Sequence, residues 1–383
     1  MNMKELPKGR SLMRWRGRIA AIVGGVVVVG ALALGFRILS VAGVFSDVTP
    51  GFGGVCKTVK GVIGAEDIAI DHDSGLAFIS ATDRRLIFDG KSSTQDGIYV
   101  MKAGYPEQGL TKLDGAPADF HPHGISILRD RDGTLTLMAV NHPLKGPAEI
   151  VIFNVVQVFM PDGTSKLMLR HVKTVSSDLL FSPNDVVAVG KDRFYATNDH
   201  GSRTELGSTL ENYLMLPRAY AVYYDGANFS VAATGLRFAN GINVSPDLSH
   251  LYIAETIGRD VKTYLRDPIT GALNKVDSFD IPAGLDNIDV DDAGNLWIAA
   301  HPKLFAFLNY MKDPTKPSPS EVFRVAVFDG IPHSSVPIFT STGKEIGASS
   351  VGAVMGDQLL IGSVFDPKIL DCTMEMSGPV RLD

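Results

Sequence analysis

Polar residues able to hold a cation or move a proton open six similar stretches of this chain. The six are Glu66-Asp67-Ile68-Ala69-Ile70, His123-Gly124-Ile125-Ser126-Ile127, Asn184-Asp185-Val186-Val187-Ala188-Val189, Asn240-Gly241-Ile242-Asn243-Val244, Asn287-Ile288-Asp289-Val290 and Ser350-Val351-Gly352-Ala353-Val354. If equivalent positions face a common axis, Glu66, Asn184, Asn240, Asp286 and Asn287 converge at one mouth of it. Carboxylates and amide carbonyls gathered around a point suit a hard, oxygen-seeking cation, and Ca²⁺ is the first candidate. Any one of these residues read alone is an ordinary turn residue; five at equivalent positions argue for a site.

The elements that must position them follow from the spacing. The openings lie 57, 61, 56, 47 and 63 residues apart. A repeat of roughly 50 residues built from short strands indicates a β-propeller. Each opening run leads through an Asp/Gly turn into a second strand, as in Asp71-His72-Asp73-Ser74-Gly75 and Asp291-Asp292-Ala293-Gly294. The intervals leave room for about four strands per blade. Thr82–Gly97 reads as a long polar surface loop. Leu206–Leu216 has the spacing of a short amphipathic helix, placed across a face of the ring as a lid, against a membrane surface, or simply packed on the barrel.

The N-terminus has a different composition. Lys4, Lys8, Arg10, Arg14, Arg16 and Arg18 precede an apolar stretch from Ile19 to Phe36, and Ile38–Phe45 can lengthen it. That length covers most of a bilayer core of roughly 30 Å, so residues 19–45 are expected to be a transmembrane anchor or uncleaved signal. Residues 1–18 would form a cytoplasmic basic flank, leaving 46–383 as an extracytoplasmic propeller domain. A cleaved signal peptide, with Ser40-Val41-Ala42 as the cleavage site and a secreted product, is the rival. Residues 1–44 carry seven Lys/Arg and one Glu; the rest carries 29 Lys/Arg against 41 Asp/Glu, a net charge of −12. An acidic body excludes nucleic acid as a natural partner.

The chain has two cysteines, Cys56 just before the first repeat and Cys372 just after the last. A propeller brings its termini together, so a disulfide there would close the ring, and an extracytoplasmic location permits it. Asn228-Phe229-Ser230 and Asn243-Val244-Ser245 have the glycosylation pattern, the second at a channel-facing repeat and expected to be buried.

Taken in order, Glu66-Asp67, Pro122-His123-Gly124-Ile125-Ser126, Val140-Asn141-His142-Pro143, Asn184-Asp185, Thr197-Asn198-Asp199-His200, Ala239-Asn240-Gly241-Ile242-Asn243, Leu285-Asp286-Asn287 and Ala300-His301-Pro302 resemble the paraoxonase/arylesterase family over roughly residues 55–375. The terminal cysteines match as well. The resemblance implies a six-bladed propeller with two calcium ions in its tunnel, hydrolysing lactones, aryl esters and, promiscuously, some organophosphates. It places Glu66, Asn184, Asn240, Asp286 and Asn287 on a catalytic Ca²⁺. Asp67, Asp185 and the carbonyl of Ile125 fall on a deeper, structural one. His123 and His142 correspond to a catalytic dyad, with Asp199 and His200 behind it and His301 lining the pocket. Ala300 departs from the family pattern by standing where a free cysteine is expected, so no thiol chemistry is implied.

Ester hydrolysis needs positive charge where the carbonyl oxygen gains negative charge, together with an activated water. Calcium meets the first need. An imidazole with a pKa near neutrality meets the second, so His123 is the expected base and His142 its orienting or relaying partner. Asp286 is the alternative base or nucleophile. His121 reads as a structural or surface residue. The expected function is calcium-dependent hydrolysis of small lactones and aryl esters. A gluconolactonase-like sugar-lactone hydrolase is one alternative, for which neither Asp67/Asp185 nor the terminal disulfide is expected. A non-catalytic calcium-stabilised propeller is the other, and it leaves the channel-mouth histidines without a use.

Overall fold

In the computed structural model, residues 10–375 are described apart from 161; Lys4 and Lys8 of the basic flank lie outside them. Six four-stranded antiparallel sheets surround a central tunnel, and five of them follow the chain in simple order. The inner strands are Ala65–Asp71, Pro122–Arg129, Pro183–Gly190, Ala239–Val244, Gly284–Val290 and Ser349–Met355, so each of the six sequence openings is the innermost strand of a blade. Val, Ile, Leu and Tyr side chains from facing sheets pack into the buried clusters between blades.

Blade 6 is completed by the other end of the chain. Its outer strand, Gly54–Lys60, pairs with Lys368–Met374 in a register that sets Cys56 opposite Cys372, and the two are disulfide-bonded. Blade 5 gains a fifth, two-residue strand, Gly51–Phe52.

Every inner strand contains an irregularity near its start. Pairing with the second strand skips between Ala65 and Asp67, Pro122 and Ile125, Pro183 and Val186, Ala239 and Ile242, Leu285 and Ile288, and Ser349 and Val351. In each case the inner strand has one residue more than its partner, a β-bulge. The residues in the bulges are Glu66, His123-Gly124, Asn184-Asp185, Asn240-Gly241, Asp286-Asn287 and Ser350. In a regular strand successive side chains face opposite ways; the bulge removes that alternation where two consecutive residues must both serve the tunnel. The two glycines are required by space. A Cβ at Gly124 would lie 2.2 Å from Asp185 Oδ1, and one at Gly241 would lie 2.6 Å from the Asn287 Cα.

Among the described residues four α-helices accompany the ring. α1 spans Arg10–Val41, and its segment Ala21–Val41 is long and apolar enough to cross a membrane. It ends at Val41; Ala42–Phe45 turn onto the propeller, where the Leu304 N–H donates to the Ala42 carbonyl and Arg259 Nη1 to that of Ser40. Gly43 adopts φ +68° with its Cα so close that a Cβ would sit 1.8 Å from the Pro302 carbonyl oxygen. α2 spans Arg84–Phe88, within the stretch expected to be a surface loop. α3 spans Glu205–Leu214, capped by Thr204, close to the predicted helix, and it approaches α1. α4 spans Leu304–Lys312.

The disulfide spans a sequence separation of 316. The chain-entropy model puts its contribution at up to about 4–5 kcal/mol for so long a loop. Cys372→Ser is therefore expected to lower the melting temperature markedly with little change in the folded far-UV spectrum. An unchanged melting temperature would mean that the strand pairing alone closes the ring.

Candidate active site

The bulge residues create two cavities along the tunnel. One, of about 440 Å³, is lined by Glu66, His123, His142, Asn184, Asp199, Asn240, Asp286 and His301, with an apolar wall that includes Phe88, Phe238, Phe307 and Phe365. The other, of about 310 Å³ at the opposite end of the inner strands, is lined by Asp67, Ile125, Asp185 and Asp289 among others. The expected catalytic and structural ligand groups are thus separated into two spaces.

The first cavity holds an oxygen cradle. Glu66, Asn184, Asn240, Asp286 and Asn287 are all buried. Two of the three amide nitrogens are used: Asn287 Nδ2 donates to Glu66 Oε1 (3.0 Å) and to the Glu66 carbonyl (3.1 Å), and Asn240 Nδ2 to Thr256 Oγ1 (3.0 Å). Glu66 Oε2 and the Oδ1 atoms of Asn184, Asn240 and Asn287 have no hydrogen-bond partner. Four buried acceptors left idle on four different blades are costly unless a cation takes them. The donor set is entirely oxygen, mixing carboxylate and amide, which fits Ca²⁺. Among the described residues no three His, Cys, Asp or Glu side chains form a metal-holding group, so the amide oxygens are indispensable to it.

Burial pushes the Glu66 carboxyl up, but the charge and hydrogen bond of His123, then Arg84 and Asn287, outweigh it and hold it at about 2. For Asp286 burial wins, raising its pKa despite a 2.8 Å contact from Oδ2 to His301 Nε2.

The deeper group differs. Both Asp67 oxygens accept backbone N–H groups, from Ile68 (2.8 Å) and Ile125 (2.7 Å). Asp185 repeats this with Val186 (2.7 Å) and Ile242 (2.8 Å). Burial, then the charge of Glu66 on Asp67 and of Asp67 on Asp185, raises both carboxyls well above the usual range.

His123 and His142 form a pair, with Nδ1 of the first 3.2 Å from Nε2 of the second. His123 Nε2 lies 3.5 Å from Glu66 Oε1. His142 is driven down to about 3, first by burial, then by the charges of His123 and Arg84; a hydrogen bond to the Pro183 backbone opposes this. Proline offers only its carbonyl, so a His142 ring nitrogen must donate there, leaving Nε2 as an acceptor toward His123. His200 does not line the cavity. It bridges Asp199 Oδ1 (2.8 Å) and Asn212 Oδ1 of α3 (3.1 Å), fixing the lid helix to the rim. Asp199 also accepts from the Ser182 hydroxyl.

Sequence reasoning missed Arg84, Thr256 and Phe238, all of which line the cavity. Nothing in Asp83-Arg84-Arg85 distinguishes a buried arginine from a solvated one. His121, read as either structural or surface, is buried between Asp96 (2.8 Å) and Asp119 (3.0 Å), and its carbonyl accepts the His142 N–H.

Because His142 is depressed in the fold, the unfolded chain binds the additional proton between about pH 6.5 and 3. Stability is therefore lost as pH falls through that window. His142→Gln, which cannot titrate, is expected to lose less stability than the wild type in denaturant melts taken from pH 7 to 4. Parallel curves would mean that His142 is not held neutral.

The arylesterase family model matches residues 48–374. Serum paraoxonase/arylesterase 1 of Homo sapiens is 34% identical over 328 residues, 83% of this chain and 88% of that protein. Serum paraoxonase/arylesterase 2 of Gallus gallus is 36% identical over 323 residues, 81% and 86% of the two chains. Among solved structures, a luciferin-regenerating enzyme superposes with a TM-score of 0.51 at 16% identity, over 84% of this chain and 95% of its own, which is a likeness of fold.

Proposed function

The chain belongs to the arylesterase family, and on that premise we propose that it is a calcium-dependent hydrolase of lactones and aryl esters. The observation that carries the reading is the set of four idle oxygens on Glu66, Asn184, Asn240 and Asn287; the first three residues line the same cavity as the histidine pair, and Asn287 is held against Glu66. Those residues, with Asp286, would hold the catalytic Ca²⁺; when bound, it supplies positive charge where the carbonyl oxygen becomes negative. A second, structural ion at Asp67, Asp185 and the Ile125 carbonyl is part of the proposal. Its support is the two buried carboxylates, each raised first by burial and then by a neighbouring negative charge.

His123 is the proposed base. With His142 Nε2 accepting, His123 Nδ1 carries the proton and Nε2 keeps its lone pair for water. As the water oxygen bonds to the carbonyl carbon, its proton passes to His123 Nε2, where Glu66 Oε1 stabilises the imidazolium. The proton is returned to the alkoxide oxygen as the ester C–O bond breaks. His142, held neutral, orients His123 rather than relaying the proton. Asp199 fixes the rim, His200 ties it to α3, and His301 positions Asp286. The alternative of Asp286 as base fits poorly, because His301 already occupies Oδ2.

A membrane setting is also proposed: residues 1–18 as a cytoplasmic flank, 19–45 as the anchor and 46–383 as an extracytoplasmic hydrolase domain. Support comes from the apolar Ala21–Val41 segment and from Leu206, Leu210 and Tyr213 of α3, exposed beside α1. Small-molecule substrates fit the cavity; the acidic body leaves nucleic acid without a surface.

Activity on an aliphatic lactone is expected to vanish in EGTA and return with Ca²⁺. The ion should raise thermal stability by about 4 kcal/mol at a thousandfold excess over Kd. Asn240→Ala should remove that calcium-induced shift along with activity. His123→Gln should retain the shift while lowering kcat by roughly 10²–10⁴-fold. Full turnover after exhaustive chelation would sink the calcium reading, and an unimpaired His123→Gln would sink the base.

A further inference from the structure

Among the described residues Arg84 is the one arginine that lines the candidate active cavity, and its neighbours are anchored so as to hold it there. Its side chain is 11% exposed. The residues on either side are anchored in opposite directions. The Asp83 N–H donates to Asp96 Oδ1 (2.9 Å), and its own carboxylate caps α2 at Leu86. Arg85 donates to the carbonyls of Tyr310, Met311 and Phe365 and lies over the Tyr310 and Phe365 rings at 4.8 and 4.6 Å. Thr82 Oγ1 donates to the Pro122 carbonyl at 2.8 Å. The backbone at 84 is therefore fixed from blade 1, blade 2 and α4 together.

What Arg84 reaches does not satisfy it. Nη1 is buried and has no hydrogen-bond partner. Nη2 stands 3.6 Å from Glu66 Oε2, too far for a hydrogen bond, and Oε2 is itself one of the idle cradle oxygens. Glu66 therefore feels the Arg84 charge but leaves the guanidinium without a hydrogen bond at either terminal nitrogen. A guanidinium is a planar fork matched to a carboxylate, and leaving one buried with free donors is unfavourable until such a partner arrives. The charges of Asp286 and Asp96 reach Arg84 as well as that of Glu66, but neither carboxylate accepts a hydrogen bond from it, and the wall beside it, including Ile87, Phe88 and Phe365, is apolar. Glu66 is contacted by Arg84 on one oxygen and by His123 on the other. A substrate whose carbonyl is attacked beside His123 thus needs only a short reach to the guanidinium.

We propose that Arg84 is a specificity-determining residue that selects esters and lactones carrying a carboxylate a short chain away from the scissile carbonyl. The proposal rests on the hydrolase reading above and names its substrate class. A bidentate, charge-assisted pair of this kind gives a preference of about 10- to 100-fold over a neutral isostere.

The test compares 4-nitrophenyl hydrogen glutarate with its neutral methyl ester, 4-nitrophenyl methyl glutarate, on the calcium-loaded full chain. The wild type is expected to favour the acid at least tenfold in kcat/KM. Arg84→Gln should bring the ratio toward one, and Arg84→Lys, which keeps charge without the fork, should fall between. Separately, calorimetric binding of glutarate should exceed that of valerate in the wild type, and the difference should vanish in Arg84→Gln. Equal turnover of the two esters by the wild type, or an equal loss on both in Arg84→Gln, would overturn the proposal. If neither ester is turned over, the hydrolase reading fails while the binding comparison still decides the role of Arg84: glutarate preferred only when Arg84 is present supports it, and no preference rejects it.

Discussion

The inner strand of a propeller blade has no neighbour on its axial side, so its backbone hydrogen-bonding groups face the tunnel unpaired. This chain answers with side chains from adjacent blades. Asp67 accepts the Ile125 N–H, Ser126 that of Ala188, Asp185 that of Ile242 and Asp289 that of Val354; Asn243 donates to the Ile288 carbonyl and Ser350 to that of Glu66. These six contacts pass from blade 1 through blade 6 and back to blade 1. Each satisfies a backbone group that would otherwise be buried without a partner, and each fixes one inner strand against the next. The site depends on this ring, because the residues that close it are sequence neighbours of those that line the candidate active cavity.

The bulges make that double use workable. In Asn184-Asp185 the acid ties blade 3 to blade 4 while the preceding amide leaves an oxygen free in the cavity. Glu66-Asp67 divides in the same way. The backbone donors displaced by the bulges are recovered locally: Asp67 N–H donates to Ser80 Oγ and Asp185 N–H to Thr197 Oγ1, both at 3.1 Å. Concentrating acids on the axis has an electrostatic cost, visible in the raised carboxyls of Asp67, Asp185 and Asp289, the last pushed by burial up to about 7. Glu66 alone of the group is held low, and it is the carboxylate that both His123 and Arg84 approach.

The end of α1 is tied to the same neighbourhood. The turn that follows it, at Ala42 and Gly43, docks on Pro302 and Leu304, next to His301, through the close approach that Gly43 permits. His301 in turn stacks on Phe307 of α4, with ring centroids 4.3 Å apart. The apolar helix, the α4 wall of the cavity and the Asp286–His301 contact therefore form one continuous set of contacts.

The sequence alone determined the blade count, the six inner strands, the closure by Cys56 and Cys372 and the apolar N-terminal helix. Each of these rests on local or periodic signals: alternation, turn residues, an unbroken apolar run, and cysteines at the two ends of a repeat. Only the tertiary structure decided which oxygens stay free. Asn240 and Asn243 are both tunnel asparagines three residues apart, yet one leaves Oδ1 idle in the cavity while the other accepts the Val244 N–H, and with it a glycosylation pattern is absorbed into the ring. Arg84 likewise sits in a polar stretch that reads as surface, and becomes a cavity wall because Arg85 finds carbonyls and rings more than 220 residues away. Period and composition report what a strand will do with its two faces. They carry no record of where a bulge turns a side chain, or of which distant backbone atom it will meet.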